Sequence, residues 1–163
     1  MTKNIFWVIG EQQAGKSMFT TMLKSYGASV LQIGEELRRT ITARDFAEQD
    51  NPYAPQFVEA RVQEMIKSAI HLFKRDPKSV LIIDSAPRNF EQSRLVSDVQ
   101  EMSTIIFIYE NYEIRRNRAR QRYGNDLSLF EKREAFERPW LEEFHSVCDE
   151  FGIKYIEFRG GDR

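Results

Sequence analysis

Apolar positions along the chain alternate between two periods. Short runs such as Ile5-Phe6-Trp7-Val8-Ile9 and Ser79-Val80-Leu81-Ile82-Ile83-Asp84 are near-continuous, the signature of strands buried on both faces. Between them lie longer stretches whose apolar residues recur at helical spacing, as with Phe57, Val58, Val62, Met65, Ile66, Ala69, Ile70 and Phe73 over 56–73. Read in order, the pattern predicts a strand over 5–9, a helix over 18–26 stopped by Gly27, and a second strand over 28–33 bounded by Gly34. A helix over 35–41 follows, with Glu35 and Glu36 in its first turn, where the helix dipole favours acids. Asp50-Asn51-Pro52-Tyr53-Ala54-Pro55 breaks the pattern before the helix over 56–73. Then come a strand over 79–84, a helix over 91–101, a strand over 104–109 and helices over 111–122 and 127–151, parted by Gly124-Asn125. Gly152 stops the last helix, 153–156 reads as a final strand, and Gly160-Gly161 opens a polar tail.

Strands alternating with helices imply an open parallel sheet covered on both faces. Ligands of such sheets bind beyond the carboxyl ends of the strands. The stretch 10–17, Gly34 and Asp84 all follow strands, so they are expected on one rim. There is no internal repeat and no low-complexity segment.

On that rim, Gly10-Glu11-Gln12-Gln13-Ala14-Gly15-Lys16-Ser17 sits between a strand and a helix. Gly, four residues, Gly, Lys and Ser in that context is the P-loop pattern. Gly10 and Gly15 permit backbone conformations and approaches that a Cβ would hinder. Loop amides from Gln13, Ala14, Gly15 and Met18 and the helix N-terminus then converge on an anion. Lys16 adds a point charge for the terminal phosphates, and the Ser17 hydroxyl is placed to ligate Mg²⁺.

Bulk properties narrow the rest. The chain has 163 residues, enough for one domain with a sizeable core. It is 41% hydrophobic and 30% charged, ordinary globular values. A net charge of -1 supplies no general pull toward nucleic acid or anionic membrane. Cys148 is the only cysteine, which excludes an internal disulfide and a multi-cysteine zinc site and suits a reducing, cytoplasmic setting. His71 and His145 are too few for a His-rich metal site, and no apolar run reaches the ~20 residues needed to span a bilayer. No charged-then-apolar leader precedes the first strand.

The second informative stretch is Asp84-Ser85-Ala86-Pro87-Arg88-Asn89-Phe90-Glu91-Gln92. An Asp ending a buried strand beside a P-loop suits the magnesium shell, and an Arg four residues on can offer a fork to a phosphate. With Ile33-Gly34-Glu35-Glu36-Leu37-Arg38, it makes the chain resemble the adenylate kinase family of nucleoside monophosphate kinases. That family carries Asp-Gly-x-Pro-Arg with a Gln at the spacing of Gln92. It also carries Ser/Thr-Gly-Asp-x-Leu-Arg after its second strand. Ser85 here replaces the Gly, Ile33 the hydroxyl residue and Glu35 the Asp. The resemblance implies a three-layer αβα P-loop fold with a parallel five-stranded sheet, an acceptor-binding helical region over about 34–75 and a short lid over about 118–133. It further implies that Gly34, Arg38 and Arg88 hold the acceptor's phosphate side and that Gln92 touches its base.

Arg115, Arg116, Arg118, Arg120 and Arg122 crowd one helix, where Arg115, Arg118 and Arg122 share a face, and Arg133 lies in the next. By the resemblance, Arg118, Arg122 and Arg133 are the lid and post-lid arginines, with Arg118 toward ATP and Arg122 and Arg133 at the transferring phosphoryl. The lid, Tyr123-Gly124-Asn125-Asp126, is minimal. The P-loop also departs from the family, with Gln12 and Gln13 for Pro and Gly and Ser17-Met18 for Gly-Thr. Lys16, Asp84, Arg88, Arg122 and Arg133 are the expected catalytic set, with Ser17 and Asp84 toward Mg²⁺. A phosphate acceptor needs no strong base; a hydroxyl acceptor would, and Asp84 is then the candidate. Three readings stand: an ATP-dependent nucleoside monophosphate kinase, a P-loop kinase of a small hydroxyl metabolite, and a nucleotide-binding regulatory module without turnover.

Overall fold

The protein, seen in a computed structural model, is described over residues 2–40 and 55–160. Its strands are β1 (Asn4–Gly10), β2 (Ser29–Gln32), β3 (Val80–Asp84), β4 (Ser103–Tyr109) and β5 (Tyr155–Arg159). Its helices are α1 (Lys16–Ser25), α2 (Ile33–Thr40), α3 (Pro55–Arg75), α4 (Phe90–Asp98), α5 (Tyr112–Tyr123) and α6 (Ser128–Phe151). The strands form one parallel sheet in the order β2-β3-β1-β4-β5. β1 is thus central, with Trp7 in register with Ile83 of β3 and Ile105 of β4. The expected parallel α/β sandwich is the observed one.

The near-continuous apolar runs are explained by burial on both faces. Ile5, Trp7 and Ile9 enter a core shared with Ile66 and Phe73 of α3, Val96 of α4 and Phe144 of α6. Val8 and Ile106 point the other way, toward Phe19 and Leu23 of α1. Trp7 is fully buried, and its indole N–H donates to Ser103 Oγ at 3.0 Å, so its polar atom is satisfied inside the core.

Local chemistry sets the helix ends. Asn89 caps α4 by accepting the Gln92 N–H, and Asn111 caps α5 by accepting from Glu113 and Ile114. Gly152 ends α6 in the left-handed region, φ 67°. Several boundaries differ from expectation. α2 begins at Ile33, so Gly34 lies in its first turn and does not separate a strand from it. The last strand runs over Tyr155–Arg159, with Ile153 buried just before it. The stretch over 91–101 also divides, into α4 and a 3₁₀ turn at Gln100–Met102. The break over 50–54 lies outside the described residues, as does Gly161. No described helix is long and apolar enough to cross a membrane.

Candidate functional site

β1 delivers the chain to the rim at Gly10, where β4 leaves no room for a side chain. A Cβ there would stand 2.1 Å from the Ile108 carbonyl oxygen. The Glu11 N–H donates to that same oxygen at 3.2 Å, which pins the loop to β4. Beyond it, Gln13 and Gly15 both take left-handed backbone angles, φ 61° and 99°. Alternation of such residues before a helix is the geometry of an anion nest. Gln13 holds this conformation although it is not a glycine.

Lys16 folds its ammonium back over the loop, donating to the Gly10 and Glu11 carbonyls at 3.1 Å each. Burial lowers this lysine to about 8, with Glu137 and Asp84 pulling up and Arg88 pushing down. An anion seated beside it favours the charged form.

At the end of β3, burial raises the Asp84 carboxyl above its usual range, opposed by the Ser85 hydrogen bond and by the positive charges of Lys16 and Arg88. Ser85 is left-handed, φ 75°, and donates its hydroxyl to Asp84 Oδ1 at 3.1 Å. Its N–H reaches back to the Val8 carbonyl at 2.8 Å, tying this loop to β1. The loop is braced from above, since the Trp140 indole donates to the Pro87 carbonyl at 2.9 Å. Arg88 is exposed, with its Nε on the Ser85 carbonyl at 3.1 Å.

These elements wall a cleft of about 580 Å³. Of the residues expected from the sequence, Gln13, Gly15, Lys16, Ser17, Met18, Gly34, Asp84, Arg88, Arg118, Arg122 and Arg133 line it together. Gly10 lies beneath, in a narrow recess with Trp140, and Ala14 is buried. The Arg38 side chain lies outside the described part of the structure, while Gly34 and Glu35 of the same helix reach the cleft.

Gln92 does not reach the wall. It is buried, its Oε1 accepts the Arg88 N–H at 2.8 Å, and its Nε2 donates to Glu59 of α3 at 3.0 Å. Asn89 donates to the same Glu59 oxygen at 2.7 Å. The amide assigned by resemblance to an acceptor base therefore braces Arg88 here.

Arg115 also departs from the pattern of α5. It is fully buried, and Glu134 of α6 grips it through two bonds of 2.7 Å. Its third carboxylate oxygen comes from Glu11 of the P-loop, at 2.9 Å, and its Nε donates to the Glu110 carbonyl at 3.1 Å. This clamp joins loop, β4–α5 turn and α6. Arg118 and Arg122 instead face the cleft, Arg118 donating to the Gln13 carbonyl at 2.8 Å. Sequence reasoning missed Glu11, Glu134 and Glu137. Glu137 was findable, since it follows Arg133 by one helical turn on α6 and so shares its face.

No protein-family model matches the chain, and no curated protein matches it. Solved structures do. TT1252 from Thermus thermophilus superposes with a TM-score of 0.67 at 17% identity, over 99% of this chain and 91% of that one. Shikimate kinase from Acinetobacter baumannii, in complex with shikimate, gives 0.60 at 19% identity, over 99% and 86%. Shikimate kinase from Bacteroides thetaiotaomicron gives 0.59 at 15%, over 99% and 89%. The likeness is one of fold. It covers nearly the whole chain, so the five-stranded sheet and its helices form one shared architecture.

Among the described residues no group of three or more His, Cys, Asp or Glu is arranged to hold a metal. A magnesium ion arriving with a nucleotide needs fewer protein ligands. The Ser17 hydroxyl and Asp84 carboxylate, both oxygen donors on the cleft wall, suit such a hard cation.

Proposed function

We propose that this protein is an ATP-dependent phosphotransferase that moves the γ-phosphoryl group to a nucleoside monophosphate. The observation that carries the reading is the meeting of Lys16 with Arg88, Arg118, Arg122 and Arg133 in one cleft. These residues come from four separate segments, and so many cations in one concavity suit two facing polyanions. Phosphoryl transfer spreads charge over peripheral oxygens, so positioning and charge neutralisation are the protein's main tasks.

In this reading the Gln13–Ser17 amides and the N-terminus of α1 seat the donor's β- and γ-phosphates. Lys16 neutralises charge there, and Arg118 flanks the donor beside Gln13. Arg88 holds the acceptor phosphate, while Arg122 and Arg133 offset charge on the group in transit. Ser17 and Asp84 would hold Mg²⁺, which supplies further charge neutralisation when bound. Closure of the α5–α6 corner over the nucleotides excludes water. Arg38 belongs with Arg88 on the acceptor side.

One observation favours a second reading. Gln92, assigned to an acceptor base by resemblance, is spent on Arg88 and Glu59. That suits a small hydroxyl acceptor with Asp84 as base. A coupled assay for ADP formation, run over nucleoside monophosphates and over small hydroxyl acids including shikimate, tests both. Turnover with a nucleoside monophosphate, abolished by Lys16→Ala, is the expected result. Turnover with a hydroxyl acceptor alone would transfer the reading to the metabolite kinase. Tight ATP binding with no transfer to any acceptor would leave a nucleotide-binding module.

A further inference from the structure

β5 forms one edge of the sheet, and no described strand pairs with its outer side. On its inner side, the Lys154 carbonyl accepts the Ile105 N–H at 2.8 Å and the Gly160 N–H donates to Tyr109 at 2.9 Å. Backbone polar groups alternate sides along a strand. Tyr155, Glu157 and Arg159 therefore turn their N–H and C=O groups outward, as a short ladder awaiting a partner. The side chains alternate as well. Ile156 and Phe158 lie on the sheet face covered by α1 and remain 45% and 46% exposed. α1, a helix of ten residues, meets that corner through Phe19, whose ring centre lies 5.3 Å from that of Phe158, and leaves the rest of it open.

A strand edge of this kind invites pairing, and its charges select what fits. We propose that a second copy of this chain adds its β5 antiparallel to this one, with the twofold axis passing through Phe158. Outward residues must face outward residues, so odd positions oppose odd positions. Centring on Phe158 sets Glu157 opposite Arg159 of the second copy, twice by symmetry, and sets the two Phe158 side chains against each other. Centring on Glu157 or on Arg159 would oppose like charges. Centring on Ile156 would leave both Arg159 side chains without a carboxylate opposite and place Phe158 against Lys154. Only the Phe158 register satisfies both charge and apolar burial. Within one chain Glu157 already accepts from His145 at 2.7 Å and lies 3.5 Å from Arg159, so the carboxylate is held near the edge. The resulting interface is isologous.

Directly opposed residues in an antiparallel pair have Cβ atoms roughly 4.5–5.5 Å apart, close to disulfide reach. In this register two Ile156 residues lie about 13 Å apart along the strands. Cysteine substitution therefore reads the register, and the native Cys148 is buried and does not compete. Sedimentation of the wild-type chain is expected to show a concentration-dependent dimer. Mild oxidation is expected to link Phe158→Cys into a covalent dimer and to leave Ile156→Cys monomeric. Arg159→Glu should shift the equilibrium to monomer, and the swap Glu157→Arg with Arg159→Glu should restore the dimer, which a merely destabilised strand would not do. A wild-type chain that stays monomeric at every concentration overturns the proposal, even if this face then proves to take a different protein. Cross-linking of Ile156→Cys as readily as Phe158→Cys, or failure of the swap to restore pairing, overturns it equally.

Discussion

Helix α5 carries two kinds of arginine within two turns. Arg115 is fully buried and has its donors on Glu11, Glu134 and the Glu110 carbonyl. Arg122, two turns on, is exposed at the cleft, with its guanidinium 5.5 Å from the Tyr123 ring centre as its nearest aromatic contact. The residue type is the same and the helix is the same; only the supply of carboxylates differs. A guanidinium buried with carboxylate partners is committed to holding structure, since its charge is already neutralised. A guanidinium at a cleft mouth keeps its charge for a ligand. The contrast separates the arginines that build the site from those that serve it.

Substitution at the exposed end should give the largest effect, and on activity alone. Arg122→Ala is expected to lower turnover by about 10³-fold or more, as for other cationic groups acting on a phosphoryl in transit. Its thermal stability should stay within about 0.5 kcal/mol of the wild type. Steady-state kinetics with a thermal melt check both halves. At the buried end the pattern should reverse. Arg115→Ala leaves Glu11 and Glu134 without their central cation and should cost about 3–5 kcal/mol in denaturant unfolding. A variant that melts normally but fails to turn over would erase the distinction.

The clamp also predicts an acid limit. Burial pushes the Glu134 carboxyl up, but the Arg115 hydrogen bonds and charge outweigh it and hold the group below its ordinary 4.5. A carboxylate depressed in the folded state stabilises above its ordinary value, and that contribution is lost as pH falls through the folded value. Stability should therefore drop below about pH 4.5, and Glu134→Gln should flatten that part of the profile while costing about 1–3 kcal/mol at neutral pH. The smallest effect belongs to the loops. Ser85→Gly relieves a left-handed backbone at φ 75° and should stabilise by up to about 1 kcal/mol, the lost Ser85–Asp84 hydrogen bond offsetting part of it. Unfolding of the variant by urea would show the sign.

The same contrast explains what the sequence could reveal. β1, β3 and β4 were legible because burial on both faces writes an unbroken apolar run. β5 was harder, since an edge strand alternates, and Ile153 reads as strand although it only anchors the approach. The P-loop and its rim were legible because their chemistry is local. Arg115 looked like its neighbours because its partners lie 104 and 19 residues away, in positions where an acid has no pattern to mark it. Gln92 shows the opposite case. Its motif spacing is shared with the resembled family, yet here the contact it makes is with Arg88, four residues back. The left-handed Gln13 and Ser85 sit where that family has glycine, so the backbone demand persists although the residue that meets it most easily is gone.

If one cleft grips two phosphate groups at once, a crystal structure with a dinucleoside polyphosphate that mimics both substrates shows it most directly. One end is expected on the Gln13–Ser17 amides and Lys16, with Arg88 and Arg122 within hydrogen-bond distance of the phosphates beyond. A complex in which Arg88 and Arg122 touch no phosphate would contradict it.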